Sequence, residues 1–225
     1  MPTALVTGAS KGIGRATALR LSPQYDIIAL GRNEDELRSL GAEIAERGGR
    51  CTAIGVDLRD PAAIATALQG VHADVLVNNA GVLRKKAFID LTPDEWAEMM
   101  DVNVNAIYHV THAVLPGMIA RGAGHIINVS SIAGRSIMLG GSGYNATKHA
   151  VQALSECLML EVRDYGVKVS IVMPGSVATE LTPGGSKVDW ALRPEDVAET
   201  VAQILSMPAH ALTFIVEVRA ARPRK

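Results

Sequence analysis

The stretch that decides the fold is Ala4-Leu5-Val6-Thr7-Gly8-Ala9-Ser10-Lys11-Gly12-Ile13-Gly14. An apolar, β-rich run passes straight into a glycine-rich turn, and a helical pattern follows over residues 15–21. Glycines let the backbone approach a pyrophosphate, and the helix N-terminus presents free N–H groups with partial positive charge. The spacing is GxxxGxG, which differs from both GxGxxG and the P-loop. The stretch therefore predicts a pyrophosphate site after the first strand.

The rest of the chain repeats this alternation of short apolar runs with longer helical patterns. Seven runs are candidate strands: 3–7, 25–30, 51–56, 74–77, 125–129, 167–172 and 212–218. Several have little polar alternation, as expected when helices cover both faces of a parallel sheet. We predict an α/β fold: one Rossmann-like, doubly wound domain over residues 1–225, with a seven-stranded parallel sheet and helices on both faces.

Composition excludes several classes of protein. Of 225 residues, 48% are apolar and 20% charged, and 22 Lys+Arg against 23 Asp+Glu leave a net charge of −1. This charge provides no basic field for nucleic acid or anionic lipid. No signal-peptide pattern and no run of about 18 apolar residues occurs, so we expect a cytoplasmic protein with no membrane segment. Cys51 and Cys157 lack any metal-site spacing and are expected to be reduced, buried thiols.

Two helices have clear sequence signals. Thr92-Pro93-Asp94-Glu95 is a capping box with proline at the first helical position. Residues 145 to 163 form a second helix, whose apolar side chains recur at helical spacing and are expected to form its buried stripe. This stripe comprises Ala150, Ala153, Leu154, Cys157 and Leu158.

Several motifs together resemble the classical short-chain dehydrogenase/reductase family, in the order that the family shows. They are Thr7-Gly8-Ala9-Ser10-Lys11-Gly12-Ile13-Gly14, Asn78-Asn79-Ala80-Gly81, Ser131, Tyr144-x-x-x-Lys148 and Pro174-Gly175. The match spans roughly residues 3 to 180. The resemblance implies a nicotinamide-dependent oxidoreductase, commonly a homodimer or homotetramer, whose cofactor lies across the carboxyl ends of the strands.

The resemblance also implies a set of cofactor contacts. Asp57 and Leu58 are expected beside the adenine, residues 79–81 beside the ribose and residues 174–179 beside the nicotinamide. The full expected set is Gly8, Ser10, Lys11, Gly12, Ile13, Gly14, Arg32, Asp57, Leu58, Asn79, Ala80, Gly81, Tyr144, Lys148, Pro174, Gly175, Val177 and Thr179.

The end of the second strand indicates which nicotinamide cofactor binds. NAD enzymes place Asp or Glu there for the ribose 2′-hydroxyl, whereas NADP enzymes offer Arg for the 2′-phosphate. This strand ends Ala29-Leu30-Gly31-Arg32, without an acid. Arg32 can form a fork onto a phosphate, and Lys11 supplies a second positive charge. We therefore expect NADP(H).

Carbonyl reduction needs a proton donor and a group that polarises the oxygen. Tyr144 and Lys148 share a helix face, and a nearby ammonium favours the phenolate, so we expect Lys148 to lower the pKa of Tyr144. Ser131 follows a strand and can donate to the substrate oxygen. Asn103 is expected to be a buried amide. One interpretation is a structural amide bonded to a neighbouring helix carbonyl; the other, implied by the family, is a residue that holds a water linking Lys148 to solvent. The two interpretations are compatible.

Other features bear on the substrate. His109 and His112 lack a carboxylate partner, so no metal site is expected. Arg84-Lys85-Lys86 are either solvated or at the pocket edge. A short lid is expected over about 180–193, and apolar residues on the lid and near the strand ends lead us to expect a neutral, partly apolar carbonyl substrate. Leu181 and Trp190 lie on the lid, and Leu83, Met138 and Leu139 lie near the strand ends.

The resulting hypothesis is an NADP-dependent oxidoreductase that interconverts a carbonyl compound and its alcohol. A 3-oxoacyl-[acyl-carrier-protein] reductase is the enzymatic alternative, and a non-catalytic NADPH-binding sensor is the alternative from another class, because a Rossmann-like fold alone proves no chemistry. Association of subunits is expected to use helices around 92–120 and 145–163.

Overall fold

A computed structural model describes residues 1–181 and 189–223 of the chain. Seven β-strands form one sheet in the order β3-β2-β1-β4-β5-β6-β7, and every neighbouring pair is parallel. The strands are β1 (Thr3–Thr7), β2 (Asp26–Gly31), β3 (Cys51–Gly55), β4 (Val75–Asn78), β5 (Gly124–Val129), β6 (Val167–Pro174) and β7 (Ile215–Val218).

Seven α-helices connect these strands in the described residues. They are α1 (Gly12–Leu21), α2 (Glu34–Glu46), α3 (Pro61–Ala67), α4 (Pro93–Met100), α5 (Ala106–Arg121), α6 (Ser142–Val162) and α7 (Pro194–Leu205). Helices α1, α2 and α7 cover one face of the sheet around Leu21, Leu40 and Val201, and α3, α5 and α6 cover the other around Ile64, Val110 and Val162. The predicted doubly wound architecture is confirmed.

The strand order reverses between β1 and β4. Consecutive strands run outward from β1 to β3 on one side and from β4 to β7 on the other. In open α/β sheets, ligands bind at the carboxyl ends of the strands where the order reverses. The fold therefore places the glycine turn after β1 and the loop after β4 side by side at the expected ligand site.

The last strand is shorter than its apolar run. β7 begins at Ile215, whereas the run begins at residue 212. The segment before it is held by side chains of β6: the Lys168 ammonium donates to the carbonyl oxygens of Pro208 and Ala211, at 3.0 and 2.8 Å, and Ser170 Oγ donates to Thr213 O at 2.7 Å.

The predicted capping box at the start of α4 is present. Thr92 Oγ1 accepts from Glu95 N at 3.2 Å, and Glu95 Oε2 accepts from Thr92 N at 3.1 Å. Between α4 and α5 the chain forms a π-helical turn, Asp101–Asn105. Asn103 lies at the centre of this turn and is fully buried. π-Helical turns frequently occur at functional sites.

The predicted buried stripe of α6 is wrong. Ala153 and Cys157 are exposed, so the expectation of a buried Cys157 thiol fails as well, and the inner face instead carries polar side chains. Ser155 is one of them: its Oγ accepts from Asn128 Nδ2 at 2.8 Å and donates to Val151 O at 2.6 Å. Hydrogen bonds of this kind remove the penalty of burying polar atoms.

His125, near the start of β5, has an imidazole with a strongly lowered pKa. Its Nε2 lies 2.8 Å from Ser170 Oγ, and Ser170 already donates to Thr213 O, so the imidazole nitrogen is the donor. Burial lowers the pKa of His125 to about 4, and the positive charge of Lys168 contributes. Protonation of His125 is thus harder in the folded protein than in the unfolded chain.

We predict that His125→Gln reduces the acid sensitivity of the fold. A histidine whose folded pKa is depressed contributes full stability above its unfolded pKa of 6.5, and loses it as the pH falls toward about 4. Between pH 7.5 and pH 5, this linkage costs the wild type about 2 kcal/mol of unfolding free energy. Urea unfolding at both pH values measures the difference. Exposed His210→Gln is the control, and equal pH dependence in all three proteins would contradict the assignment.

Candidate active site

The glycine turn leaves a bare stretch of backbone between β1 and α1. Gly8 and Gly12 have φ values of +64° and +56°, which side chains disfavour. A Cβ at Gly14 would lie 2.2 Å from Gly8 O. The turn is tied to the end of β2 because Ala9 N donates to Leu30 O at 3.0 Å. Ile13 packs partly against the core. The glycines of the sequence motif are therefore sterically required.

The end of β4 is clamped onto this turn by Thr7. Its Oγ1 accepts from the backbone N–H groups of Asn79 and Ala80, at 2.9 and 3.1 Å. The Asn79 amide points inward, where Nδ2 donates to Thr7 O at 3.0 Å. The Asn79 side chain, which the resemblance places beside the ribose, is therefore bonded to Thr7. These bonds fix the position of residues 79–81.

The end of β2 carries the expected basic group. Arg32 is exposed there, and its charge contributes to lowering the pKa of Asp57, which lies after β3. The larger cause is the hydrogen-bonded Arg59 guanidinium, and together they bring the Asp57 pKa to about 2. A Cβ at Gly31 would lie 3.5 Å from Ser10 Oγ. The carboxyl ends of β2 and β3 are thus surrounded by Arg32, Ser10 and Asp57.

Lys11 has a partner that the sequence did not suggest. Its ammonium forms an ion pair with Glu180, which follows β6. A Cβ at Gly12 would lie 3.3 Å from Thr179 Cγ2, so the segment after β6 lies against the glycine turn. Pro174 and Val177 are buried, and Gly175 is held by a 2.7 Å bond from its N–H to Val218 O. Half of the expected lid, residues 182–188, lies outside the described residues.

Ser131 and Tyr144 are brought together at the carboxyl end of β5. Ser131 Oγ accepts from Ala133 N at 3.1 Å, which fixes the hydroxyl and leaves its proton available for donation. Tyr144 is buried at the start of α6 and shares a hydrogen bond with Ser131. Burial raises the pKa of Tyr144, and the Ser131 hydrogen bond lowers it to a smaller extent. The direction is opposite to that expected from Lys148, because burial dominates.

Lys148 lies one helical turn after Tyr144 and is buried. Its Nζ donates to Val129 O at 3.0 Å and lies 5.6 Å from the centre of the Tyr144 ring. Burial lowers the Lys148 pKa to about 8. An ammonium has three donors, so two remain for other acceptors. The amine is thus held at the carboxyl ends of the strands by the Val129 carbonyl.

Asn103 is held entirely by hydrogen bonds within the protein. Its Oδ1 accepts from Val82 N at 2.7 Å, and its Nδ2 donates to Val82 O and Thr147 Oγ1, at 2.9 and 3.0 Å. Thr147 Oγ1 in turn donates to Tyr144 O at 2.8 Å. These bonds are those of a structural amide, although the backbone partner is a loop residue and not a helix carbonyl, and the water-relay role of Asn103 stays a prediction.

Thr147 and Asn145 support the candidate site through hydrogen bonds that the sequence reasoning missed. Thr147 is fully buried and links the π-helical turn to the backbone of Tyr144. Asn145 Nδ2 donates to Ala133 O and Ser136 O, at 2.6 and 2.8 Å, and so shapes the loop that follows Ser131. Both residues lie between Tyr144 and Lys148 in the Tyr-x-x-x-Lys motif. Their polar side chains were the signal that the sequence offered.

The remaining candidates lie apart from this constellation. His109 and His112 line a surface cavity of about 280 Å³ between α3 and α5. Within residues 1–181 and 189–223, no three His, Cys, Asp or Glu side chains come together as a metal site. Arg84 and Lys86 form ion pairs with Glu98 and Glu95 of α4, at 2.7 and 2.6 Å.

The described helices include none that is both long and apolar enough to cross a membrane.

Comparison with known proteins assigns the family. A family model described as short chain dehydrogenase matches residues 2–188. The chain belongs to the short-chain dehydrogenase family. Oxidoreductase UcpA of Escherichia coli K12 is 36% identical over 211 residues, which is 91% of this chain and 80% of UcpA.

Solved structures agree in fold over nearly the whole chain. A metagenomic short-chain oxidoreductase in complex with NADP has a TM-score of 0.88 and 35% identity, and the match covers 99% of this chain and 98% of that one. The closed form of a serine dehydrogenase complexed with NADP+ has a TM-score of 0.89 and 34% identity, with coverages of 96% and 94%.

Proposed function

We propose that the protein is an NADP(H)-dependent oxidoreductase that reduces a carbonyl compound to its alcohol and catalyses the reverse reaction. The observation that carries the proposal is the convergence of Ser131, Tyr144 and Lys148 at the carboxyl ends of the strands, next to a backbone turn bare of side chains. Two similar structures contain NADP or NADP+, which supports the choice of cofactor.

The residues present fit this cofactor. The turn between Gly8 and Gly14 provides a cradle that a Cβ would fill, next to the N-terminus of α1. Arg32 is exposed where a 2′-phosphate is expected, and no acid replaces it at the end of β2. Lys148 retains two donors for the ribose hydroxyls. When bound, NADPH supplies a hydride to the carbonyl carbon.

The protein's own groups manage the oxygen of the carbonyl. Ser131 donates its hydroxyl proton to that oxygen instead of to Tyr144 and stabilises the negative charge that develops there. Tyr144 transfers its hydroxyl proton to the same atom, because its raised pKa keeps the hydroxyl protonated at neutral pH. Lys148 then favours the resulting phenolate by its charge. Asn103, through Thr147, holds the backbone of Tyr144 in place.

The two alternatives have less support. A 3-oxoacyl-[acyl-carrier-protein] reductase binds an acidic carrier, yet Arg84 and Lys86 are already neutralised by carboxylates of α4. A non-catalytic sensor does not require Ser131 and Tyr144 in hydrogen-bond contact. A cytoplasmic location stays a prediction from the sequence.

We also propose a homodimer or homotetramer that uses α5 and α6. The outer face of α6 exposes Ala153 and Cys157, and α5 exposes Tyr108. An apolar periodicity that is not used for the core is typical of a helix that packs against another subunit.

The central test is Tyr144→Phe. We expect NADPH affinity within about twofold of wild type and a kcat at least about a hundredfold lower, because general acid catalysis contributes roughly 10²–10⁴-fold. NADPH oxidation with a panel of ketones measures turnover, and fluorescence titration measures binding. Tyr165→Phe, an exposed tyrosine, is the matched control. A kcat near wild type in Tyr144→Phe would reject the assignment.

Cofactor preference tests the role of Arg32. We expect Arg32→Ala to raise KM for NADPH at least about tenfold and KM for NADH less than about twofold, because a charge-assisted fork to phosphate contributes about 1.5–3 kcal/mol. Arg47→Ala, which removes an exposed arginine from the far end of α2, is the control. Equal effects on both cofactors would show that Arg32 does not contact the phosphate.

Light scattering tests subunit association. We expect the wild type to be a dimer or larger at micromolar concentration, and Ala153→Glu to shift it toward monomer by burying a charge at the contact. Ala45→Glu, on the exposed side of α2, is the control and is expected to leave the mass unchanged. A monomeric wild type would contradict the proposal.

A further inference from the structure

The four most exposed large apolar side chains of the described residues lie on two loops. Phe88, Ile89, Ile137 and Leu139 are 76%, 91%, 81% and 93% exposed. Single apolar side chains are ordinary on a protein surface, whereas a cluster of them indicates a binding surface. We call these four side chains the apolar ledge.

The two loops that carry the ledge are joined. Lys86 N donates to Gly140 O at 2.9 Å. A Cβ at Gly140 would lie 3.3 Å from Lys86 O and 3.6 Å from Lys85 Cγ. Residues 85–89 and 137–140 therefore form one continuous surface.

This surface adjoins the candidate active site. Met138 stands between Ile137 and Leu139, and it packs with Leu83 and Leu91 against a buried cluster that contains Tyr144. The loop of Ile137 and Leu139 also connects Ser131 to the start of α6. The ledge is thus continuous with the apolar surroundings of the proposed proton donor.

The charges beside the ledge favour an uncharged occupant. Arg84 and Lys86 form ion pairs with Glu98 and Glu95, so two of the three cations in the adjacent segment are neutralised. A carboxylate or phosphate near the ledge would find only the exposed Lys85 and Arg135 as neighbours on these two loops. An apolar group needs no charged partner, so its binding is not weakened by these ion pairs. Contact with the four large side chains of the ledge removes it from water.

We propose that the apolar ledge binds the alkyl chain of the carbonyl substrate, so that the substrate class is ketones and aldehydes with an extended aliphatic chain. The inference rests on the proposed function and specifies its substrate. Each methylene group that leaves water strengthens binding by about three- to fourfold. Catalytic efficiency is therefore set by chain length over the part of the chain that reaches the ledge.

The test uses the full-length protein, NADPH and 2-alkanones from 2-butanone to 2-decanone. We expect kcat/KM to rise about three- to fourfold per methylene over the middle of the series. In the double variant Ile137→Ser, Leu139→Ser, we expect the ratio of kcat/KM for 2-decanone to that for 2-butanone to fall at least about tenfold. Tyr165→Ser removes an exposed side chain just before β6, at the opposite end of the strands, and we expect the wild-type ratio there.

Calorimetric binding of the same ketones to the NADP+ complex separates the two proposals. Turnover of short and long ketones with equal kcat/KM would contradict the proposal that the apolar ledge binds the alkyl chain. It would leave the proposal of carbonyl reduction intact. Chain-length-dependent binding that the double variant abolishes, without turnover of any ketone, would support the ledge and overturn carbonyl reduction. A smaller assembly of the double variant in light scattering would show that a second copy of the chain covers these side chains, and would also overturn the ledge.

Discussion

The hydrogen bonds between Thr7 and the start of the loop after β4 are the constraint on which the site depends. A parallel sheet whose order reverses leaves a crevice between the two central strands. Across this crevice, Thr7 Oγ1 accepts hydrogen bonds from the backbone of Asn79 and Ala80, and Thr7 O accepts one from the Asn79 side chain. The clamp sets the position of the glycine turn relative to Gly81, where a Cβ would lie 3.5 Å from Asn103 Oδ1.

The catalytic side of the crevice is built from buried polar groups that satisfy one another. Burying a lysine without a partner costs several kcal/mol, and the Val129 carbonyl reduces that penalty for Lys148. The lowered Lys148 pKa shows that the penalty is not removed completely. Burial thus moves the two pKa values in opposite directions, lowering that of Lys148 to about 8 and raising that of Tyr144. Burial, more than the contact between Lys148 and Tyr144, sets the pKa of each group.

Much of this arrangement could be predicted from the sequence, and the exceptions have physical causes. The seven strands were predictable because strands buried on both faces read as continuous apolar runs. The stripe of α6 was not, because Tyr144, Thr147 and Lys148 are buried through hydrogen bonds that lie far apart in sequence. Periodicity identifies an apolar face, but it does not tell whether a sheet or another subunit covers that face.

The cofactor contacts show the same limit at single residues. The motif located Asn79 correctly, but its amide is used to hold Thr7, a partner 72 positions earlier in the chain. Lys11 was placed in the right turn, but its pairing with Glu180 depends on how the segment after β6 returns to the glycine turn. Because no carboxylate among the described residues pairs with Arg32, we propose Arg32, rather than Lys11, as the cation that binds the phosphate. The choice between two cations that look equivalent in sequence is thus made by the tertiary structure.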